Sequence, residues 1–103
     1  MNTEISGLDL KDATIVRVIE ETDHRKLTFE LSYPLTESDP DFKRKNLTFW
    51  SCRRYVIEEE YYFFGQPIIK GVEIDKRDCE GMIFRIQTNY GHREVRCSYV
   101  TYQ

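Results

Sequence analysis

The sequence has no long hydrophobic run: its longest uninterrupted apolar or aromatic stretch is Tyr61 to Phe64, far short of the roughly 18 residues that a membrane-spanning helix needs. It has only three cysteines, Cys52, Cys79 and Cys97, an odd number with no CxxC spacing. That excludes a disulfide framework and a structural zinc site, and it predicts reduced thiols with at least one in the core. The start, "MNTEISGLDLKDA", carries Glu4, Asp9 and Asp12 and lacks both a basic and an apolar segment, so it does not read as a secretory signal, and a cytoplasmic protein is expected. The GxSxG, HExxH, P-loop and dinucleotide glycine patterns are all missing, which removes support for the enzyme classes that depend on them. The expectation is a non-catalytic protein with no metal and no cofactor.

The chain does hold an ordinary share of apolar residues, 40%, against 32% charged, in 103 residues, which is enough for one small domain spanning 1–103. The net charge is −3, and it is uneven: residues 1–44 carry ten acids and six bases, residues 45–103 eight acids and nine bases. An acidic N-terminal half repels phosphate backbones and attracts a basic partner.

No fixed-period repeat is present, but strand patterning recurs. "KLTFELSY" (26–33) puts Leu27, Phe29, Leu31 and Tyr33 on one face. "ATIVRVIEET" (13–22) is β-branched with apolar groups on both faces, and "DHR" joins the two as a hairpin. "PLTESDPDFKRK" (34–45) reads as a loop because proline breaks a ladder and Asp and Ser close turns. "NLTFWSCRRYVIEEEYYFF" (46–64) begins as a strand; its second half fits a strand or a helical turn, and its aromatic and β-branched density favours the strand, with "GQP" (65–67) as the turn. "IIKGVEID" (68–75) is a strand with a glycine that marks a bulge. "MIFRIQTN" (82–89) and "REVRCSYVTY" (93–102) form a closing hairpin around "NYGH", with Gly91 supplying the positive φ.

These segments predict a mainly β fold: about six antiparallel strands in a meander, folded into a sandwich or partly open barrel, with at most one short helix. Its core contains Leu27, Phe29, Leu31, Leu47, Phe49, Phe84, Ile86, Val95 and Cys97. In a meander alternate turns share an end, which would group the turns at 23–25, 65–67 and 89–92 and bring His24 near His92. Two histidines without a third ligand set by spacing read better as solvated turn residues than as a metal site. Cys97, on the inward face, reads as a packing thiol and not as a nucleophile.

The candidate partner-binding residues are the carboxylates Glu58, Glu59 and Glu60 with Tyr55, Tyr61 and Tyr62 beside them, since acidic rims speed encounter and aromatic anchors supply affinity. On a strand Glu58 and Glu60 share one face and Glu59 takes the other. Seven Tyr, six Phe and one Trp also fit a base-stacking sheet, but such surfaces are basic, and here only Arg53, Arg54, Arg93 and Arg96 resemble a basic stripe. A protein partner is therefore the preferred reading. A small-ligand β-barrel and a single-stranded nucleic-acid-binding sheet are the alternatives.

Three segments, "LKDA" (Leu10 to Ala13), "LTFWSC" (Leu47 to Cys52) and "EVRCSYV" (Glu94 to Val100), occur in an order that resembles small bacterial β-rich proteins, among them immunity proteins of polymorphic toxin systems. Lys11 stands where that group has histidine. The resemblance implies a cytoplasmic, non-catalytic inhibitor that acts by binding a basic toxin or enzyme.

Overall fold

The structure, a computed structural model, describes residues 10–33, 43–61, 64–77 and 81–103. They form eight strands and, among the described residues, no helix: β1 (Thr14–Glu21), β2 (Lys26–Tyr33), β3 (Lys43–Trp50), β4 (Arg54–Glu59), β5 (Ile69–Arg77), β6 (Gly81–Thr88), β7 (Gly91–Cys97) and β8 (Tyr99–Tyr102). Two antiparallel four-stranded sheets result, in the orders β1-β2-β3-β8 and β4-β7-β6-β5. The mainly β fold is as the alternation predicts.

The strand count and the order differ from the expectation of a six-stranded meander, for one reason. Two of the predicted segments break and pass from one sheet to the other. The 46–64 segment turns at Ser51, which holds a left-handed φ of 54°; the 93–102 segment breaks at Ser98, whose N–H donates to the Trp50 carbonyl at 2.9 Å. β3 pairs with β8 and β4 with β7, so the two bent segments run beside each other through both sheets and join them. A strand that switches sheets at a bend is how a sandwich closes a corner. The β4 strand stops at Glu59 and does not extend to 64.

The β4–β5 connection is consequently no hairpin. It carries the chain from one edge of the second sheet to the other, in Greek-key fashion, and it wraps the β6–β7 turn. Glu60 N–H donates to the Tyr90 carbonyl at 2.9 Å and Asn89 N–H to the Ile68 carbonyl at 3.1 Å. Ile68 N–H donates to Asn89 Oδ1 at 2.8 Å, and Tyr90 hydroxyl to the Gly65 carbonyl at 3.2 Å. The "NYGH" turn is thus held on both sides. Gly91 has the positive φ expected of it, 149°, and a Cβ there would run into the Glu58 carbonyl.

This topology groups the turns at 65–67 and 89–90 but not the turn at 23–25. The β1–β2 turn lies at the far end of β1 from the Thr14–Ile68 bridge, where its Arg25 carbonyl accepts from Cys52 N–H at 2.7 Å. His24 and His92 therefore sit on different turns at different ends. Residues 43–45, read as loop, belong to β3 and pair with β2. The remainder of that predicted loop, 34–42, lies outside the described residues, as does Cys79.

All nine predicted core residues are buried in one cluster. Phe49 links the sheets by edge-to-face contacts with Phe29 and Phe84, ring centroids 5.2 Å apart in each case. The two apolar faces of β1 are explained by a bulge between Ile15 and Arg17, which turns both Ile15 and Val18 toward the core; Gly71 sits at a second register shift in β5. Burial pushes the Cys97 thiol up to about 12, as fits a packing group.

Replacing Phe49 with Ala should cost about 3–5 kcal/mol in denaturant titration, the range for a large buried aromatic. A loss below about 1 kcal/mol would place the junction of the sheets elsewhere.

Candidate functional site

The row Tyr55, Ile57 and Glu59 on β4 faces the row Arg93, Val95 and Cys97 on β7, with Ile57 directly opposite Arg93 and Tyr55 opposite Val95. Period-two alternation carries Arg93 inward with Val95 and Cys97, and the residue is only 5% exposed. A buried guanidinium requires a carboxylate, and Glu59, whose side chain is 0% exposed, supplies it. The pair is bidentate: Arg93 Nε to Glu59 Oε2 at 2.9 Å and Nη2 to Oε1 at 2.8 Å.

Both groups make further hydrogen bonds. Thr88 hydroxyl donates to Glu59 Oε2 at 2.7 Å and Tyr61 hydroxyl to Oε1 at 2.8 Å. Arg93 Nη1 donates to the Tyr55 hydroxyl at 2.8 Å, and the guanidinium lies 5.8 Å from the Phe29 ring centre. No buried side-chain nitrogen or oxygen among the described residues is left without a partner.

Burial by itself would raise the Glu59 pKa, but hydrogen bonds from Arg93, Thr88 and Tyr61 outweigh it and hold the carboxyl below the usual carboxylate range. Burial by itself would lower Arg93, and its bonds to Glu59 raise it above its ordinary value. Burial pushes Tyr55 up to about 12 despite the nearby guanidinium. Burial also raises Tyr61, helped by Glu59. Both members of the ion pair stay charged at neutral pH.

The predicted patch is therefore divided. Tyr55, Glu59 and Tyr61 meet at Arg93, whereas Glu58 and Glu60 turn to solvent; Tyr62 lies outside the described residues. Glu58 stands 3.2 Å from His92 Nε2, both exposed. Tyr61 is 56% exposed even though its hydroxyl is fixed, and its ring packs on Tyr90 with centroids 4.5 Å apart. Ile57, Glu58, Glu59, Glu60, Tyr90 and His92 line an open groove of about 460 Å³. A second open recess of about 350 Å³ lies against the β1–β2 turn, where Glu20, Glu21, Arg25, Lys26, Cys52 and Arg53 give it mixed charge. Among the described residues no three or more His, Cys, Asp or Glu side chains are placed to hold a metal.

Arg93 and Thr88 are the participants that the sequence reading missed. For Arg93 the signal was present, since the parity of "REVRC" puts it on the face of two core residues. Phe64, fully exposed, was also passed over as part of a strand. The chain matches no family of known proteins, and no curated protein is similar to it in sequence.

Stability should depend on pH through Glu59. A carboxyl whose folded pKa is depressed contributes stability above its unfolded value, about 4.3, and loses that contribution as pH falls through the folded value. Glu59→Gln should cost about 3–5 kcal/mol at neutral pH, because it strands a buried charge, and it should flatten the decline of the denaturant midpoint as pH falls below about 5. Parallel wild-type and variant curves would contradict this role.

Proposed function

We propose that this chain is a protein-binding domain that inhibits or sequesters a basic protein partner through the β4 edge and the segment that follows it. The observation that carries this reading is the distribution of exposed apolar groups. Of four large hydrophobic side chains exposed among the described residues, Ile57, Tyr61 and Phe64 fall on one short stretch, and they flank the outward carboxylates Glu58 and Glu60. Exposed aromatic anchors inside an acidic rim are the composition of an interface whose charge steers encounter and whose aromatic groups set residence time.

Two further features support it. The ion pair under β4 fixes Tyr61 before any partner arrives, so ordering that side chain costs little on binding. The resemblance to immunity proteins points to the same class of role, with a toxin as the basic partner. A small-ligand barrel fits less well, since the phenylalanines and leucines fill the space between the sheets and both recesses described above open outward.

Co-expression with a basic protein encoded beside this gene tests the proposal. The wild-type chain should suppress that protein's activity and bind it with an association rate that falls as salt rises. Phe64→Ser should raise the dissociation rate by roughly tenfold or more, as expected of an anchor residue. Inhibition that survives both Phe64→Ser and reversal of Glu58 would place the interface on another face.

A further inference from the structure

A sheet edge exposes unpaired backbone groups, and proteins usually blunt it. Four strands end the two sheets: β1, β8, β4 and β5. β1 and β5 each contain a register shift and meet at the Thr14–Ile68 bridge, and β8 is only four residues long. β4 has none of these devices. It pairs with β7 from Arg54 to Glu59 with no shift, and no described strand covers its other side.

The direction of its backbone groups follows from one hydrogen bond. Glu60 N–H donates to the Tyr90 carbonyl, and in an antiparallel ladder alternate residues point to opposite neighbours. Val56 and Glu58 therefore face β7, and the N–H and C=O groups of Tyr55, Ile57 and Glu59 face the open side. At the centre of that row is Ile57, 49% exposed.

We propose that the chain forms a symmetric dimer in which β4 pairs antiparallel with β4 of a second copy, the two-fold axis passing through Ile57. Any register centred on a residue of β4 satisfies the backbone alternation, and those centred on Val56, Ile57 and Glu58 differ in what they bring together. Centring on Glu58 sets two Glu58 carboxylates directly opposite each other, which is repulsive. Centring on Val56 requires a hydrogen-bonded pair between Arg53 and Glu59, and the Arg53 N–H is already given to the Arg96 carbonyl at 2.7 Å. Centring on Ile57 uses residues 54–60 and needs no bond from Arg53. It packs the two Ile57 side chains together at the axis and sets Arg54 of each copy opposite Glu60 of the other, an attractive pair formed twice by symmetry. The same interaction joins the two β4-containing sheets into one continuous sheet.

This goes beyond the partner-binding reading, and the two draw on one edge, so a basic partner would meet the dissociated chain. Self-association is measured with the full chain alone, which makes its failure and the failure of partner binding distinguishable. In sedimentation velocity over a micromolar concentration series the wild type should pass from monomer to dimer, and Ile57→Lys should remain monomeric while keeping its circular dichroism spectrum. Arg54→Glu and Glu60→Arg should each weaken dimerisation by roughly tenfold, and the chain carrying both reversals should recover to within about threefold of wild type. A wild type that stays monomeric to the top of the series overturns the proposal. So does a dimer indifferent to Ile57→Lys, or a double reversal no better than its parents. β4 amides that gain exchange protection only when a basic partner is added would assign the edge to that partner instead.

Discussion

The ion pair between Arg93 and Glu59 is the constraint around which one end of the molecule is organised. Neither charge is tolerable alone in that position: a buried ion pair gains little over a well-packed apolar substitute, but losing one partner leaves an uncompensated charge, a cost of about 3–5 kcal/mol. The other donors and acceptors follow from this. Tyr55 and Tyr61 each accept a guanidinium hydrogen that Glu59 does not take, and Thr88 and Tyr61 complete the carboxylate. Those contacts fix the end of β4 to β7, to the β6–β7 turn and, through the Phe29 ring, to the opposite sheet. The exposed ring of Tyr61, which we propose meets a partner, is held by the same network.

A polar device at this point fits the topology. β4 is an edge strand with a neighbour on one side only, and its inner row, Tyr55, Ile57 and Glu59, is covered less completely than the rows of β2, β3 and β6. Where Phe29, Phe49 and Phe84 can interlock, apolar packing suffices; at the edge, directional bonds hold the strand in register. The groups that stabilise β4 on its inner side leave its open edge uncovered by any described strand, with Ile57 of the inner row and Glu58 and Glu60 of the outer face exposed.

Much of this was legible in the sequence, and the failures have identifiable physical causes. Alternation in "KLTFELSY" and "REVRC" located the inward rows because each strand keeps one face dry, and all nine core positions followed. The bends at Ser51 and Ser98 were not legible: strand propensity is as high after each break as before it, no proline or glycine marks either, and a change of sheet leaves local periodicity intact. Missing them turned eight strands into six and a Greek-key order into a meander, and so misplaced the 23–25 turn. The parity of Glu58, Glu59 and Glu60 was correct, but which parity faced inward depended on Arg93, which was read by its charge and not by its place in the row.

Amide hydrogen exchange of the Arg93→Met variant tests the account most directly, because it reads the edge and the core separately. If the ion pair secures the edge strand, the amides of Val56 and Glu58, which face β7, and of Glu60, which bonds to Tyr90, should lose most of their protection, while those of Phe29, Phe49 and Phe84 stay close to wild type relative to global stability. A uniform loss across both sheets, or full protection of β4, would contradict the claim that this pair holds the β4 edge in place.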